Sequence, residues 1–218
     1  MFCGTHEFKT PLSSIQMSTA LLKNTKIGTL NEEQAHLIDS ITDESNRLLK
    51  ITGELLNMTQ LESGNMELTM TSNEPTKIIK AAMEATQIQA EQKNITIRTD
   101  FSENLPDVQA DFEKTVWVFT NILSNEIRYS YENATILIAL KTAENKVAFS
   151  IRDYGQGILE QYQTKIFNRY FLVPSTKKEG TGLGLAISKE FIETQEGTIT
   201  VESEFGSGST FTVSLKRV

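Results

Sequence analysis

The first third of this chain can form only a few structures, because residues 32 to 62 carry a heptad repeat. Apolar residues recur there at alternating spacings of four and three, the pattern of a coiled-coil seam. Asn31, a residue type suited to capping a helix, stands just before the repeat. The pattern predicts one helix that starts after Asn31 and runs to about Glu62. Its seam positions are Leu37, Ile41, Glu44, Leu48, Ile51, Leu55 and Met58.

Another helix is predicted upstream, over residues 6 to about 24, where Ile15 and Leu22 belong to an apolar stripe. The polar segment 24–31 then forms a turn that makes the two helices antiparallel. A hairpin with a heptad seam cannot bury both of its apolar faces alone. We therefore expect two copies to form a dimeric four-helix bundle. The alternative is a hairpin that packs on the rest of its own chain.

Beyond residue 74 the pattern changes to shorter helices and alternating strands. Helices are predicted over 75–92, 111–129 and 181–193, and strands over 95–101 and around 136–140, 147–151, 199–201 and 211–215. The whole chain is therefore predicted to be α+β. Its domains are expected at 1–66 for the helical hairpin, 67–74 for a linker, and 75–218 for an α/β sandwich with helices on one face of a mixed, largely antiparallel sheet.

Charge and residue counts exclude several classes of protein. The formal net charge of −7 argues against nucleic-acid binding, which relies on clusters of Lys and Arg. Only two histidines are present, His6 and His36, so a multi-histidine metal centre is excluded. No apolar run approaches the roughly 18 residues of a membrane-spanning helix. The single cysteine, Cys3, fits a reducing compartment.

A glycine-rich run before the last predicted helix indicates a phosphate-binding loop. Glycines allow backbone N–H groups to approach a phosphate closely, and the N-terminus of the helix that follows favours anions. Such runs also serve helix caps and tight packing, so the run alone leaves both interpretations open. Its residues are Gly180, Thr181, Gly182, Leu183 and Gly184.

Two asparagines on the helix predicted over 111–129 are candidate ligands for a metal. Asn121 and Asn125 lie four residues apart and so project from one face. Their oxygens suit Mg²⁺, which completes its shell with water and phosphate oxygens. Arg128 would add positive charge toward those phosphates, and Tyr129 would lie against a base. The alternative is a pair of ordinary amides on the helix surface.

The segment Asp153-Tyr154-Gly155-Gln156-Gly157 follows a predicted strand. A carboxylate at that position can accept a hydrogen bond from the exocyclic amine of adenine, and the glycines let the backbone pass close to the base. A base with a carbonyl in place of the amine would leave the buried carboxylate unpaired. The alternative is a turn that only ends the strand.

A third motif, His6-Glu7-Phe8-Lys9-Thr10-Pro11, lies on the first helix. A neutral imidazole is a nucleophile toward phosphorus, and Glu7 can accept its second proton. The hydroxyl of Thr10, one turn beyond, would orient a water for the reverse hydrolysis. A His-Glu-x-x-His zinc site is excluded because position 10 is threonine. The alternative is a histidine without a role on a helix surface.

The polar segment between Gly157 and Gly180 has only one short apolar stretch, around Ile166 and Phe171. A long segment of this kind beside a glycine loop is more often a mobile lid than a linker.

These motifs occur in one order: His-Glu-x-x-Thr-Pro, Asn-x-x-x-Asn, Asp-x-Gly-x-Gly and Gly-Thr-Gly-Leu-Gly-Leu. The set resembles the catalytic core of two-component sensor histidine kinases. That core joins a dimerisation and histidine-phosphotransfer domain to an ATP-binding domain of the gyrase, Hsp90, kinase and MutL type. The likeness covers nearly all of the chain. It implies ATP and Mg²⁺ as cofactors, autophosphorylation of His6, and transfer to an aspartate on the receiver domain of a response regulator.

The resemblance also implies a role for each matching residue. His6 corresponds to the phosphorylated histidine, Glu7 to its acid/base neighbour, and Thr10 to the threonine linked to phosphatase activity. In the nucleotide site, Asn125 corresponds to the magnesium ligand, with Asn121 assisting, and Asp153 corresponds to the residue that binds adenine. Gly155 and Gly157 belong to the loop of Asp153. The second glycine box contains Gly180, Gly182 and Gly184, and the lid aromatics are Phe167 and Tyr170.

Three positions depart from the family pattern. Glu126 stands where a small residue is usual, and Arg128 stands where lysine is common. Leu172 replaces an arginine that often follows the lid aromatics. We expect Lys177, Lys178 or Arg169 to supply the missing charge to the terminal phosphate.

Two other functions remain open on the sequence. One is a protein that mainly dephosphorylates its regulator, and the other is a dimeric scaffold that binds ATP without transferring phosphate. We expect the core to be cytoplasmic and to lack an upstream sensor. In the family that missing portion often includes membrane spans, so the full-length protein could be membrane-anchored.

Overall fold

The structure is a computed structural model that describes residues 4–63, 67–174 and 180–218, with the side chains of the first helix described from Thr10 onward. The chain divides into two compact units, residues 1–66 and 67–218.

The first unit is a helical hairpin, as predicted. Helix α1 spans Gly4–Leu22 and helix α2 spans Glu32–Glu62. The predicted N-cap is confirmed, since the Asn31 side chain accepts a hydrogen bond from the backbone N–H of Gln34 at 2.8 Å. The Gln34 side chain accepts in return from the backbone N–H of Asn31 at 3.1 Å. This reciprocal capping box fixes where α2 begins.

The two faces of α2 differ in burial. Ile38 and Met58 are buried within the hairpin. Of the predicted seam, Met58 is therefore buried, whereas Leu37, Ile41 and Leu48 are 57%, 48% and 43% exposed. A row of exposed apolar side chains is unusual on a monomeric protein and is typical of an interaction surface. We predict that a second copy of the hairpin covers these exposed side chains.

The second unit is an α/β sandwich built on a five-stranded sheet. Its helices are α3 (Pro75–Gln92), α4 (Phe112–Tyr129), α5 (Glu160–Gln163) and α6 (Gly184–Thr194). Its strands are β1 (Met70–Asn73), β2 (Thr96–Phe101), β3 (Val108–Asp111), β4 (Thr135–Ala143), β5 (Lys146–Arg152), β6 (Thr198–Glu204) and β7 (Gly208–Lys216). The large sheet has the order β2-β4-β5-β7-β6. Only β2 and β4 are parallel, which confirms the predicted mixed, largely antiparallel sheet.

The core forms where alternate residues of the central strands meet the helices. Alternate residues of a strand point to the same face of a sheet. The buried ones here include Ile138 of β4, Phe149 of β5 and Val213 of β7. Phe119 of α4 packs on Phe149 with ring centroids 4.7 Å apart. The sheet therefore holds α4 in place, and α4 carries the predicted asparagines.

Two features differ from the sequence prediction. The segment expected as a linker, 67–74, contains strand β1, which pairs antiparallel with β3 in a separate two-stranded sheet. Strands of four residues are too short to give a readable alternation. Helix α6 begins at Gly184 rather than at Thr181. Gly182 has φ +70°, a left-handed conformation that interrupts a helix.

We predict that Gln195→Leu destabilises the second unit by about 1–3 kcal/mol, the usual cost of an unpaired buried polar group. The buried Gln195 side chain accepts from the backbone N–H of Asp111 at 2.7 Å and donates to the carbonyl of Phe191 at 2.9 Å. Urea denaturation of the purified protein measures the change. Glu193→Leu, at an exposed position in the last turn of α6, just before Gln195, is the control. Equal losses for both variants would contradict the assignment.

Candidate functional site

Three of the four predicted motifs meet in the second unit. Helix α4 is joined to α6 by a hydrogen bond from the Asn121 amide to the Ser188 hydroxyl, at 3.0 Å. The end of α4 lies against the turn that follows β5. An ideal Cβ on Gly155 would be 2.4 Å from the carbonyl oxygen of Tyr129. The site is therefore formed by α4, the turn after β5 and the start of α6.

Asp153 is the most tightly held side chain of the site. It is 2% exposed, and its carboxylate accepts from the backbone N–H of Gly155 at 2.6 Å and of Ser209 at 2.7 Å. The β5–β7 pairing continues into this residue, since its own N–H donates to the carbonyl of Ser209. Ser209 is not among the residues predicted for this site from the sequence. Only the register of β5 against β7 could have identified it, because Arg152 pairs with Thr210.

A glycine is required at position 155 because the turn after β5 passes very close to the backbone at the end of α4. Any side chain there would collide with the Tyr129 carbonyl and would also meet the Asp153 carboxylate at 2.7 Å. The turn can lie directly on the end of α4 only because this residue has no Cβ. Tyr129 and Arg128, the predicted nucleotide contacts on α4, are half-buried beside this turn.

The glycine loop leads into the N-terminus of α6, whose N-cap residue Leu183 forms no side-chain capping hydrogen bond. The first N–H groups of an α-helix have no partner within the helix, and their dipoles favour an anion. Gly182 packs on the backbone of Tyr170, which an ideal Cβ would approach to 2.6 Å. The loop ends with the Leu183 N–H donating to the Thr181 hydroxyl at 3.2 Å. This geometry can hold phosphate groups.

The two asparagines have different environments. Asn121 is buried, and its side-chain oxygen would lie 2.5 Å from a Cβ on Gly184, so this amide packs between α4 and α6. Asn125 is half-buried. Within the described part of the chain there is no cluster of three His, Cys, Asp or Glu residues that could hold a metal. A magnesium ion at this site would therefore depend on amide oxygens and on phosphate oxygens.

Residues 110–218 match the family described as histidine kinase-, DNA gyrase B-, and HSP90-like ATPase. Residues 5–64 match the His Kinase A (phospho-acceptor) domain. The chain belongs to the histidine kinase family. Membership agrees with the fold, since helices on a mixed sheet follow a helical hairpin.

The relatives of this chain carry the names of sensor proteins and histidine kinases. The chain is 29% identical to alginate biosynthesis sensor protein KinB of Pseudomonas aeruginosa over 95% of its own length and 35% of that protein. It is 30% identical to sensor-like histidine kinase SenX3 of Mycobacterium tuberculosis, over 97% and 52% of the two lengths. The solved structure of full-length ShkA in complex with AMPPNP superposes with a TM-score of 0.78 at 25% identity, covering 98% of this chain and 45% of ShkA. The chain thus spans about half or less of these relatives.

Arg128 of this histidine kinase lies beside the glycine loop. Its guanidinium is 3.7 Å from the position of a Cβ on Gly180, and the Leu172 side chain is 3.4 Å from the same point. Leu172, which departs from the family pattern, is therefore next to a cation that α4 supplies. Lys177 and Lys178, the other predicted sources of charge, lie outside the described residues.

The first half of the predicted lid is attached to the body of the kinase. Gln163 donates to the carbonyl of Ser203 at 2.6 Å. Arg169 forms an ion pair with Glu190 of α6 at 2.7 Å, and the Tyr170 N–H donates to the carbonyl of Gly182 at 2.9 Å. Arg169 therefore binds a carboxylate of α6 in this structure, while the Arg128 guanidinium lies close to Gly180 at the start of the glycine loop.

The His-Glu-x-x-Thr motif lies in the first unit of the kinase, on α1. His6 and Glu7 are helical, but their side chains lie outside the described residues. Thr10 is exposed, and its carbonyl accepts from the Ser14 hydroxyl at 3.1 Å. Among the described residues, no helix combines the length and the hydrophobicity needed to cross a bilayer.

Glu126 adds a second buried acid to the site. It is 3% exposed, and its Oε2 atom has no hydrogen-bond partner in the described residues. Burial, and then the negative charge of neighbouring Asp153, raise the pKa of the Glu126 carboxyl well above its ordinary value. The sequence marked Glu126 as unusual because it replaces a small residue next to Asn125.

We predict that Glu126→Gln stabilises the kinase at neutral pH. An acid whose folded-state pKa is raised stays protonated in the folded chain while it ionises in the unfolded chain. Stability is therefore lost as the pH rises above the ordinary value of 4.5 toward the folded-state pKa. The gain from the variant should be large at pH 7 and small near pH 4.5, measured by chemical denaturation at each pH.

Exposed Glu103→Gln is the control for this pH dependence. A gain for Glu126→Gln that did not change with pH would show that the Glu126 carboxyl ionises alike in both states.

Proposed function

We propose that this chain is the catalytic core of an ATP-dependent protein-histidine kinase that phosphorylates itself on His6. The phosphoryl group then passes to an aspartate on the receiver domain of a response regulator. The observation that carries this proposal is that one unit contains both a fixed carboxylate, Asp153, and a glycine loop that leads into the N-terminus of α6. The carboxylate suits the exocyclic amine of adenine, and the helix N-terminus suits phosphates.

Asp153 would select the base. Its two backbone hydrogen bonds leave further acceptor capacity on each carboxylate oxygen, so it can accept from the exocyclic amine of adenine. A base with a carbonyl in place of that amine, such as guanine, would bring its carbonyl oxygen against the Asp153 carboxylate, and both groups are acceptors. The Asp153 carboxylate would then lose its hydrogen bond, which is an effective basis for selecting ATP over GTP.

Phosphates would be held by α6 and α4 together. The first N–H groups of α6, which have no partner within the helix, and the Arg128 guanidinium offer donors and positive charge. Asn125 would hold Mg²⁺, with Asn121 fixing its position through Ser188. When bound, the ion neutralises charge that develops on the transferred phosphoryl group. Phosphoryl transfer is catalysed mainly by such positioning and neutralisation.

Transfer requires the nucleotide unit to meet His6. One imidazole nitrogen of His6 attacks the γ-phosphorus, the bond to the bridging oxygen of the β-phosphate breaks, and ADP leaves. Glu7 accepts the proton from the other imidazole nitrogen, so the phosphohistidine is formed without a cationic ring. Thr10, one turn along and exposed, would position a water that removes phosphate from the regulator.

The exposed seam of α2 supports a homodimer, in which two hairpins would form a four-helix bundle. We expect the core to act in the cytoplasm, where its substrate ATP is available.

We predict that His6→Gln abolishes labelling by γ-labelled ATP and Mg²⁺ but leaves ATP binding within about twofold, because His6 lies outside the nucleotide unit. Wild-type label should be acid-labile, as a phosphohistidine is. His36→Gln is the control and should label normally. Wild-type protein that binds ATP without acquiring label would support the scaffold that does not transfer phosphate. If the protein instead released phosphate from a labelled regulator, and Thr10→Ala impaired that release, the phosphatase alternative would be supported.

We predict that Asp153→Asn weakens ATP binding by about 10- to 100-fold, the range for a lost hydrogen bond to a charged group. The ratio of ATP to GTP affinity should fall as well. Calorimetric titration measures both, at a temperature where the variant is folded. Asp100→Asn, on the exposed surface of β2, is the control, and unchanged affinity for Asp153→Asn would remove this residue from the base pocket.

A further inference from the structure

Lys93 holds the end of α4 from outside the predicted nucleotide site. It follows α3 directly, and its ammonium donates to the carbonyls of Ile127 at 2.9 Å, Arg128 at 2.9 Å and Ser130 at 2.7 Å. An ammonium has three donors, so all of its capacity is used on one helix end. Residue 93 also lies before the range matched by the ATPase family, which begins at residue 110.

These contacts satisfy groups that the helix cannot satisfy itself. The last carbonyls of an α-helix lack intrahelical partners and form the negative end of its dipole. A half-buried ammonium meets both requirements, through hydrogen bonds and through charge. The backbone adds two further ties between these segments, from the Asn133 N–H to the carbonyl of Lys93 at 3.1 Å and from the Thr96 N–H to that of Ala134 at 3.0 Å.

The other side of the same helix end is fixed by the binding turn. Gly155 lies against the carbonyl of Tyr129 and the Cα of Ser130. The last turn of α4 is therefore held between Lys93 and the Asp153–Gly155 turn. That turn of helix carries Arg128 and Tyr129, and both belong to the proposed nucleotide site.

We propose that Lys93 is a positioning residue of the nucleotide site, which acts by fixing the last turn of α4 so that Arg128 faces the glycine loop. The inference rests on the proposed function, because it assigns Lys93 to ATP binding through Arg128. Lys93 makes no contact with the nucleotide on this view. Its loss frees three carbonyls and lets the guanidinium move away from the phosphates.

A double-mutant cycle on the whole chain tests the inference. Lys93→Met keeps the aliphatic stem and removes the donors, so ATP affinity should fall about tenfold, while Lys93→Arg should restore most of it. In an Arg128→Met background, Lys93→Met should cost less than about threefold, because residues that act through one another are not additive. Adenosine, which lacks phosphates, should lose less affinity than ATP does in the Lys93→Met protein, because it makes no contact with Arg128.

Lys80→Met, at an exposed position on α3, is the matched control and should bind ATP as wild type does. A lower melting temperature for Lys93→Met with unchanged ATP affinity would overturn the inference and leave only a structural role. Equal fold losses of ATP affinity in the wild-type and Arg128→Met backgrounds would overturn it too. If Lys93→Met does not fold, Lys93→Gln takes its place in the cycle. Wild-type protein that binds no ATP would overturn the proposed function, and with it this inference.

Discussion

The two hydrogen bonds that the Asp153 carboxylate accepts from backbone N–H groups connect the sheet to the binding site. The Ser209 N–H belongs to β7 and the Gly155 N–H to the turn after β5. One side chain therefore fixes the turn against the central strands. Because Gly155 lies on the Tyr129 carbonyl, the same side chain also determines how closely α4 approaches the turn. One buried group therefore positions both the proposed base-binding turn and the end of α4 that carries Arg128.

The site carries unfavourable features that a core without function would not keep. Glu126 is buried beside Asp153 with one oxygen unpaired, and the Ser130 hydroxyl one turn along is also buried without a partner in the described residues. Buried polar atoms without partners reduce stability, and they concentrate where a protein binds something. The rest of the second unit, with a fully buried Phe119, Phe149 and Phe191, provides the stability that offsets them.

Features with a local signal were predictable from the sequence. The heptad repeat predicted helix α2, the residue type of Asn31 predicted its N-cap, and alternation predicted the strands around Ile138 and Phe149. Features that depend on distant pairs were not. Ser209 lies 56 residues from Asp153, and Lys93 lies 34 to 37 residues from the carbonyls that it binds. A lysine at the end of a helix gives no sign of its partners, and strands as short as β1 and β3 give no periodicity.

The exposed seam of α2 makes the two units differ in how their stability responds to protein concentration. The second unit has a core of its own, so its unfolding free energy is independent of dilution. The hairpin leaves Leu37, Ile41 and Leu48 in water, so in the proposed dimer part of its stability would come from association and would follow mass action. Dilution would then melt the unit that carries His6 while the ATP-binding unit stayed folded. The amount of kinase in the cell would itself set the fraction of chains able to accept a phosphoryl group.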